Sequence, residues 1–191
     1  MSARILVFSG SNRSGAFSGK VADCAVKTLA LQGAVPTRIL LSDYPLPIMD
    51  EDLERERGVP EQASQLARQI HEHNGLLIAT PEYNGSLPPL LKNAIDWVTR
   101  VRIDGARAFA GKPVGLASSS DGQYAGIRAI GHLRAILSHI GCEVVAAQCS
   151  VARAQEAFDE DGNFRQKHLQ AHMERLAKAL IGHCVMPPNR Q

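Results

Sequence analysis

The residues best suited to chemistry first gather at Gly10-Ser11-Asn12-Arg13-Ser14-Gly15-Ala16-Phe17-Ser18. They follow the apolar run Ile5-Leu6-Val7-Phe8 and precede a helical pattern. A helix N-terminus offers unpaired N–H groups and the positive end of the helix dipole, so it attracts anions, phosphate above all. Gly10 and Gly15 let the backbone curl round such a group. Ser11, Ser14 and Ser18 add hydroxyls, and Arg13 adds a charged fork. The segment is expected to hold a phosphate. Two common phosphate motifs do not describe it. From Gly15 to Lys20 the glycine spacing is wrong for a Walker A loop, and Val21 stands where Ser or Thr would bind magnesium. The pattern G-x-G-x-x-G is also absent, which disfavours a tightly held dinucleotide.

A second segment, Pro81-Glu82-Tyr83-Asn84-Gly85-Ser86-Leu87-Pro88-Pro89, suits a flat, partly apolar ring. Its prolines stiffen the chain, and Asn84-Gly85 permits positive φ. Such a turn presents backbone N–H groups at a ring edge, with Tyr83 beside it. A third segment, Ser118-Ser119-Ser120-Asp121-Gly122-Gln123-Tyr124-Ala125-Gly126, would close the far side. Its backbone N–H groups near Ser119, Ser120 and Gly122 are candidate donors to that ring. A phosphate loop beside a ring loop points to a nucleotide cofactor, FMN before others.

These segments need a scaffold that brings them to one edge. Arg4 to Ser9 is a continuous apolar run, as a strand buried on both faces requires. Further strands are expected at Val35 to Leu41, Leu76 to Ala79, Pro113 to Ala117 and Glu143 to Ala147. Helical stripes lie between them: Phe17 to Gln32, Pro60 to Glu72, from about Pro88 with Ser86 as cap, Ile127 to Ile140, and Gln166 to His183. Tyr44-Pro45-Leu46-Pro47 and the acidic stretch Asp50-Glu51-Asp52 read as a long loop. Strands interleaved with helices make a parallel, doubly wound α/β sheet. Ligands of such sheets sit beyond the carboxyl ends of the strands, at the switch point, where the three segments fall.

The chain has 191 residues, 45% hydrophobic and 21% charged, with a net charge of +2. One domain over residues 1–185 is expected, with a flexible tail at 186–191. The charge demands neither nucleic acid nor an anionic membrane. No apolar run approaches the roughly 20 residues of a bilayer span, and Ile5 to Phe8 is too short for a signal peptide core. A cytoplasmic protein is expected. Cys24, Cys142, Cys149 and Cys184 are scattered and read as buried thiols. His168 and His172 stand four apart on a helix but lack an evident third ligand, so no metal is expected. Arg100 and Arg102 read as solvated arginines, or as contacts to a ligand phosphate or a partner subunit. Trp97 and Val98 suit either a core or an oligomer interface.

Gly10-Ser11-x-Arg13 with Ser18, then Pro81-Glu82-Tyr83-Asn84-Gly85-Ser86, then Leu91-Lys92-Asn93-Ala94-Ile95-Asp96-Trp97, resembles the NADPH-dependent FMN reductase family. That family includes flavodoxin-like quinone, azo-dye and chromate reductases. The resemblance runs from about Ile5 to Leu180. It implies a flavodoxin-like sheet of order 2-1-3-4-5 with helices on both faces, non-covalent FMN, and a homodimer or homotetramer. It also implies phosphate contacts from Ser11, Arg13, Phe17 and Ser18, with Ser14 as an added donor. Glu82, Tyr83, Asn84 and Gly85, after Pro81, would follow the ring edge, and Ser120 with Ser119 and Gly122 would meet the ring from the third loop. Many members carry Ser-x-Asn where this chain has Ala16 and Ser18, and some carry a second Tyr at Gly85. The implied reaction is hydride transfer from NAD(P)H to the flavin, then electron transfer to a quinone, azo compound or chromate in ping-pong order. No side chain is expected to act as acid or base. The rival readings are a reductase that releases reduced FMN to a partner, and a flavodoxin-type electron carrier without turnover. The latter is usually strongly acidic, unlike this chain.

Overall fold

The computed structural model describes residues 2–185. The tail expected at 186–191 lies outside the described residues. In chain order the elements are β1 (Arg4–Ser9), α1 (Phe17–Leu31), β2 (Val35–Arg38), α2 (Glu51–Arg57), α3 (Glu61–Glu72), β3 (Gly75–Pro81), α4 (Pro89–Arg100), β4 (Arg102–Ile103), β5 (Ala106–Arg107), β6 (Pro113–Ser119), α5 (Ile127–His139), β7 (Glu143–Val151) and α6 (Lys167–Val185). Five strands form one parallel sheet in the order β2-β1-β3-β6-β7. Counting only these strands, that is the expected order 2-1-3-4-5. The switch point lies between β1 and β3, so the loops after these strands flank one crevice.

The central strands β1, β3 and β6 are buried on both faces, with successive side chains pointing to opposite sides. Along β1, Ile5 and Val7 pack with α1 and α6, while Leu6 and Phe8 pack with α3, α4 and α5. The fully buried Trp97 and Val98 belong to the second of these cores.

Four local expectations need correction, and one hairpin is additional to them. β2 ends at Arg38, and the buried Leu41 opens a 3₁₀ turn at Leu41–Asp43. The acidic stretch forms α2, whose start is capped by Asp50, which accepts from the N–H groups of Asp52 (2.8 Å) and Leu53 (3.3 Å). No residue of α2 is buried, so it carries no apolar stripe to announce it. α4 starts at Pro89 with Pro88 as its cap, and Ser86 does not cap it. β7 continues to Val151, because Gln148 to Val151 rejoin β6 after a register shift between Val114 and Leu116. β4 and β5 form a short hairpin over Asp104 (φ 51°) and Gly105 (φ 81°), a two-residue turn with both central residues left-handed.

Cys24, Cys142 and Cys149 are buried, and Cys184 is half-buried. Burial pushes the Cys142 and Cys149 thiols up to about 12, which keeps them protonated and inert. Among the described residues no helix is long and apolar enough to cross a membrane.

Candidate functional site

β1, β3 and β6 end on three loops that enclose a cleft of about 310 Å³. Ser11, Arg13, Phe17 and Ser18 line it from the first loop, Pro81, Glu82 and Tyr83 from the second, and Ser119, Ser120 and Gly122 from the third. Three of the expected residues stand elsewhere. Ser14 lines an adjoining cleft on the far side of its loop. Asn84 and Gly85 lie beyond the lining, as the two central residues of a tight turn.

The first wall is rich in donors. No side chain caps α1, and its first turn contains no acidic residue. The N–H of Lys20 reaches the Ala16 carbonyl at 3.2 Å, while those of Phe17, Ser18 and Gly19 have no acceptor among the described residues. Arg13 has no ion-pair partner among the described residues, and its guanidinium lies 5.9 Å from the Phe17 ring centroid. Ser18 is buried, with its Oγ 2.8 Å from the Oγ of Ser9. Ser9 Oγ also accepts the Ser11 N–H at 3.2 Å. This geometry lets Ser9 donate to Ser18 and leaves the Ser18 proton for a ligand.

Ser9 was absent from the sequence-based site, although it carried a signal: a hydroxyl closing an otherwise apolar strand. Ser9→Ala is expected to cost about 1 kcal/mol of ligand affinity, several-fold in Kd, by freeing the Ser18 hydroxyl to turn away. Fluorescence titration with FMN measures this, and parent-like affinity would remove Ser9 from the site.

The second wall is a two-residue turn. Tyr83 and Ser86 exchange backbone hydrogen bonds of 2.9 and 3.0 Å around Asn84 (φ 50°) and Gly85 (φ 83°). Two left-handed residues in succession explain the Asn-Gly pair. Tyr83 stands half-exposed at the mouth. The Glu82 side chain, only 6% exposed, turns from the cleft to α5. Its Oε1 accepts from Arg128 Nε at 2.7 Å and Nη2 at 2.5 Å, and its Oε2 accepts the Arg128 backbone N–H at 3.2 Å. Arg128 is the second residue of α5, so Glu82 caps that helix from a remote loop. One turn further along α5, His132 Nδ1 lies 2.9 Å from Ser86 Oγ. Arg128 and His132 offer no local sequence signal, because each meets its partner across 46 residues.

The third wall departs from expectation in its donors. The Ser120 N–H already bonds the Val151 carbonyl at 3.0 Å, and the Gly122 N–H bonds Ser120 Oγ at 3.2 Å. Neither N–H is open to a ligand. The Ser120 hydroxyl proton is the donor left to that residue. Ser118 Oγ donates to the Ala125 carbonyl at 2.6 Å and ties the loop back on itself.

Other candidates lie apart from this edge. Arg100 Nε bonds both Glu54 oxygens, at 3.0 and 2.9 Å, so it serves α2 and not a dinucleotide phosphate. That hydrogen-bonded carboxylate also holds the Arg100 guanidinium above its ordinary pKa. Arg102 is exposed on β4. The rings of His168 and His172 lie 5.7 Å apart, edge to face. Among the described residues no group of three or more His, Cys, Asp or Glu is placed to hold a metal.

The profile of the family described as NADPH-dependent FMN reductase matches residues 3–156. The chain is 39% identical over 142 residues to a quinone reductase of Escherichia coli (strain K12), covering 74% of this chain and 73% of the relative. It is 32% identical over 181 residues to an NAD(P)H-dependent FMN reductase of Pseudomonas aeruginosa, covering 93% and 92%. A solved flavoenzyme NAD(P)H:(acceptor) oxidoreductase from Paracoccus denitrificans superposes with a TM-score of 0.76 at 28% identity, over 95% of this chain and 98% of that one.

Proposed function

The chain belongs to the NADPH-dependent FMN reductase family, and from that premise we propose that it passes electrons from NAD(P)H to a quinone in the cleft beyond β1, β3 and β6. It is an NAD(P)H-dependent oxidoreductase, with FMN as its cofactor.

One observation carries the placement of the cofactor. The uncapped first turn of α1, where the N–H groups of Phe17 and Ser18 have no acceptor among the described residues, opens into a cleft walled otherwise by ring-suited loops. A phosphate monoester fits that donor set. Ser11, Arg13, Ser18 and the N–H of Phe17 would hold the phosphate. Tyr83, Ser119 and Ser120 would face the ring, with the Asn84-Gly85 turn holding Tyr83 at the mouth. FMN, when bound, accepts an electron pair from NAD(P)H and delivers it to the acceptor.

The chain's own part is to bind, orient and shield. Arg13 neutralises the phosphate, and Ser9 fixes the Ser18 hydroxyl. Glu82 and Arg128 hold the second loop against α5. Both Glu82 oxygens are occupied by Arg128, so this carboxylate is not placed to move a proton. Donor and acceptor use the one cleft in turn, which makes the order ping-pong. The quinone assignment draws on the named activity of the Escherichia coli relative; azo compounds and chromate are further acceptors, which need more than one reduced flavin per molecule for full reduction. An apolar groove beside the cleft mouth, lined by Leu87, Pro89, Ala135 and Ile136, supports a homodimer or homotetramer. Four free thiols support a reducing, cytoplasmic setting.

Steady-state assay of FMN-reconstituted protein tests the proposal. NAD(P)H oxidation should depend on added benzoquinone, and double-reciprocal plots at several quinone concentrations should be parallel. No oxidation of either nucleotide would overturn it.

A further inference from the structure

Among the described residues, four other than glycine hold positive φ: Asn84, Asp104, Ala125 and Arg153. Asn and Asp accept that conformation readily, and both stand in two-residue turns. Alanine and arginine do not. Ala125 and Arg153 lie on two segments that are laced together beside the third wall of the cleft. The Ser120 N–H donates to the Val151 carbonyl at 3.0 Å, the Arg153 N–H to the Gly122 carbonyl at 3.4 Å, and the Ala154 N–H to the Ser120 carbonyl at 3.1 Å. Ser120 and Gly122 both line the cleft. Backbone strain persists where its surroundings enforce it, and it gathers at ligand sites.

A bond from Ser118 Oγ to its carbonyl holds Ala125 in place. Arg153 has less to hold it. It takes φ 45° and ψ 52°, a conformation that glycine adopts without steric cost. The flanking Val151 and Ala154 are fully buried and fix the backbone. Arg153 itself is exposed and has no ion-pair partner among the described residues. It gives the fold neither burial nor an ion pair to offset the strain. What it adds over glycine is a positive charge.

That charge stands beside a wall short of donors. Val151 takes the Ser120 N–H. Asp121 lines the same cleft, and no cation pairs with it among the described residues. Hydride transfer from NAD(P)H adds two electrons and one proton to the flavin ring, and so leaves the ring one negative charge. A free carboxylate opposes that charge, and a fixed cation favours it. Arg153 is bonded to the wall through its backbone. Its charge is therefore held within about a side-chain length of the wall, comparable to the roughly 8 Å screening distance at physiological salt.

We propose that Arg153 offsets Asp121 and stabilises the reduced, anionic flavin, which raises the potential at which FMN takes the electron pair. The proposal rests on the function proposed above, with the ring against the third wall. The strained backbone at Arg153 is the cost of fixing a cation there.

Equilibration of the FMN-loaded protein with a reference dye reads its two-electron midpoint potential apart from turnover. Arg153→Gln should weaken the binding of reduced FMN about fivefold more than that of oxidised FMN, which lowers the midpoint by about 20 mV. Arg153→Lys should keep most of the parental value, and Asp121→Asn should shift it upward. The Arg153→Gln shift should shrink in about 0.5 M salt. Arg153→Gly should show the same fall in potential yet melt about 2 °C higher, because the strain is relieved. An arginine kept for the fold would give a lower melt and no change in potential. An unchanged midpoint in Arg153→Gln, or a destabilised Arg153→Gly, would overturn the proposal. Those results overturn it alone if the parent binds FMN and oxidises NAD(P)H. A parent that binds no FMN would overturn both this proposal and the reductase reading.

Discussion

Glu82→Ala should yield a protein that folds but loses FMN during purification. The carboxylate is almost fully buried and takes three donors from Arg128. One of them is a first-turn N–H of α5, a helix with no cap of its own. Removing one partner of a fully buried pair typically costs about 3–5 kcal/mol. Here the Arg128 side chain is 57% exposed and regains water, so the cost should fall to about 2 kcal/mol. The loss is concentrated on the turn that carries Tyr83, because Ser86–His132 is then the remaining side-chain tie to α5. Affinity for FMN should weaken about 30-fold if ordering the turn takes up that whole cost. Glu82→Gln keeps an oxygen for the Arg128 N–H and should fall between variant and parent. Titration of the apoprotein with FMN, beside thermal melts without flavin, checks this. An alanine variant with parental affinity would mean that Glu82 does not support the ring wall.

Trp97→Ala should be the more damaging change to the fold. Trp97 is fully buried in the core shared with α3 and α5. Its Nε1 donates to the Pro47 carbonyl at 2.8 Å. One turn earlier, Asn93 donates to that same carbonyl at 2.8 Å and accepts the Met49 N–H at 2.8 Å. The Leu91 to Trp97 block thus pins the long loop after β2 to α4. Deleting a buried indole costs about 3–5 kcal/mol through lost burial and the cavity left behind. That is a large part of a typical stability of about 5–15 kcal/mol. Trp97→Phe retains most of the packing and should lose about 1–2 kcal/mol, chiefly the indole hydrogen bond. Urea unfolding measures both. An alanine variant within about 1 kcal/mol of the parent would contradict the packing argument.

The strands and long helices were legible because their apolar spacing is a local property. β1, β3 and β6 are buried on both faces and read as unbroken runs, and α3 and α4 carry clean stripes. α2 was not legible, since a helix with no buried residue has no stripe. Ser86 looked like a helix cap, yet its hydroxyl meets His132 on another element. Arg100 reads from the sequence as a solvated arginine or a contact to a phosphate or partner subunit, yet Glu54 of α2 takes it, and α2 has no stripe to announce it.

The same division runs through the site. The loop Gly10 to Ser18 carries its chemistry in its own composition, and the order of strands and helices sends it to the carboxyl edge of the sheet. The kind of site was therefore determined by the sequence: donors for a phosphate beside a turn for a ring. Which donors are open was decided only in the tertiary structure. Packing ties the Ser120 N–H to Val151, sets Ser9 behind Ser18, and brings Arg128 to Glu82. The physical reason is distance along the chain. A helix stripe or a glycine turn depends on neighbours a few residues away. The partner of a buried polar group can come from anywhere in the chain, and only packing selects it.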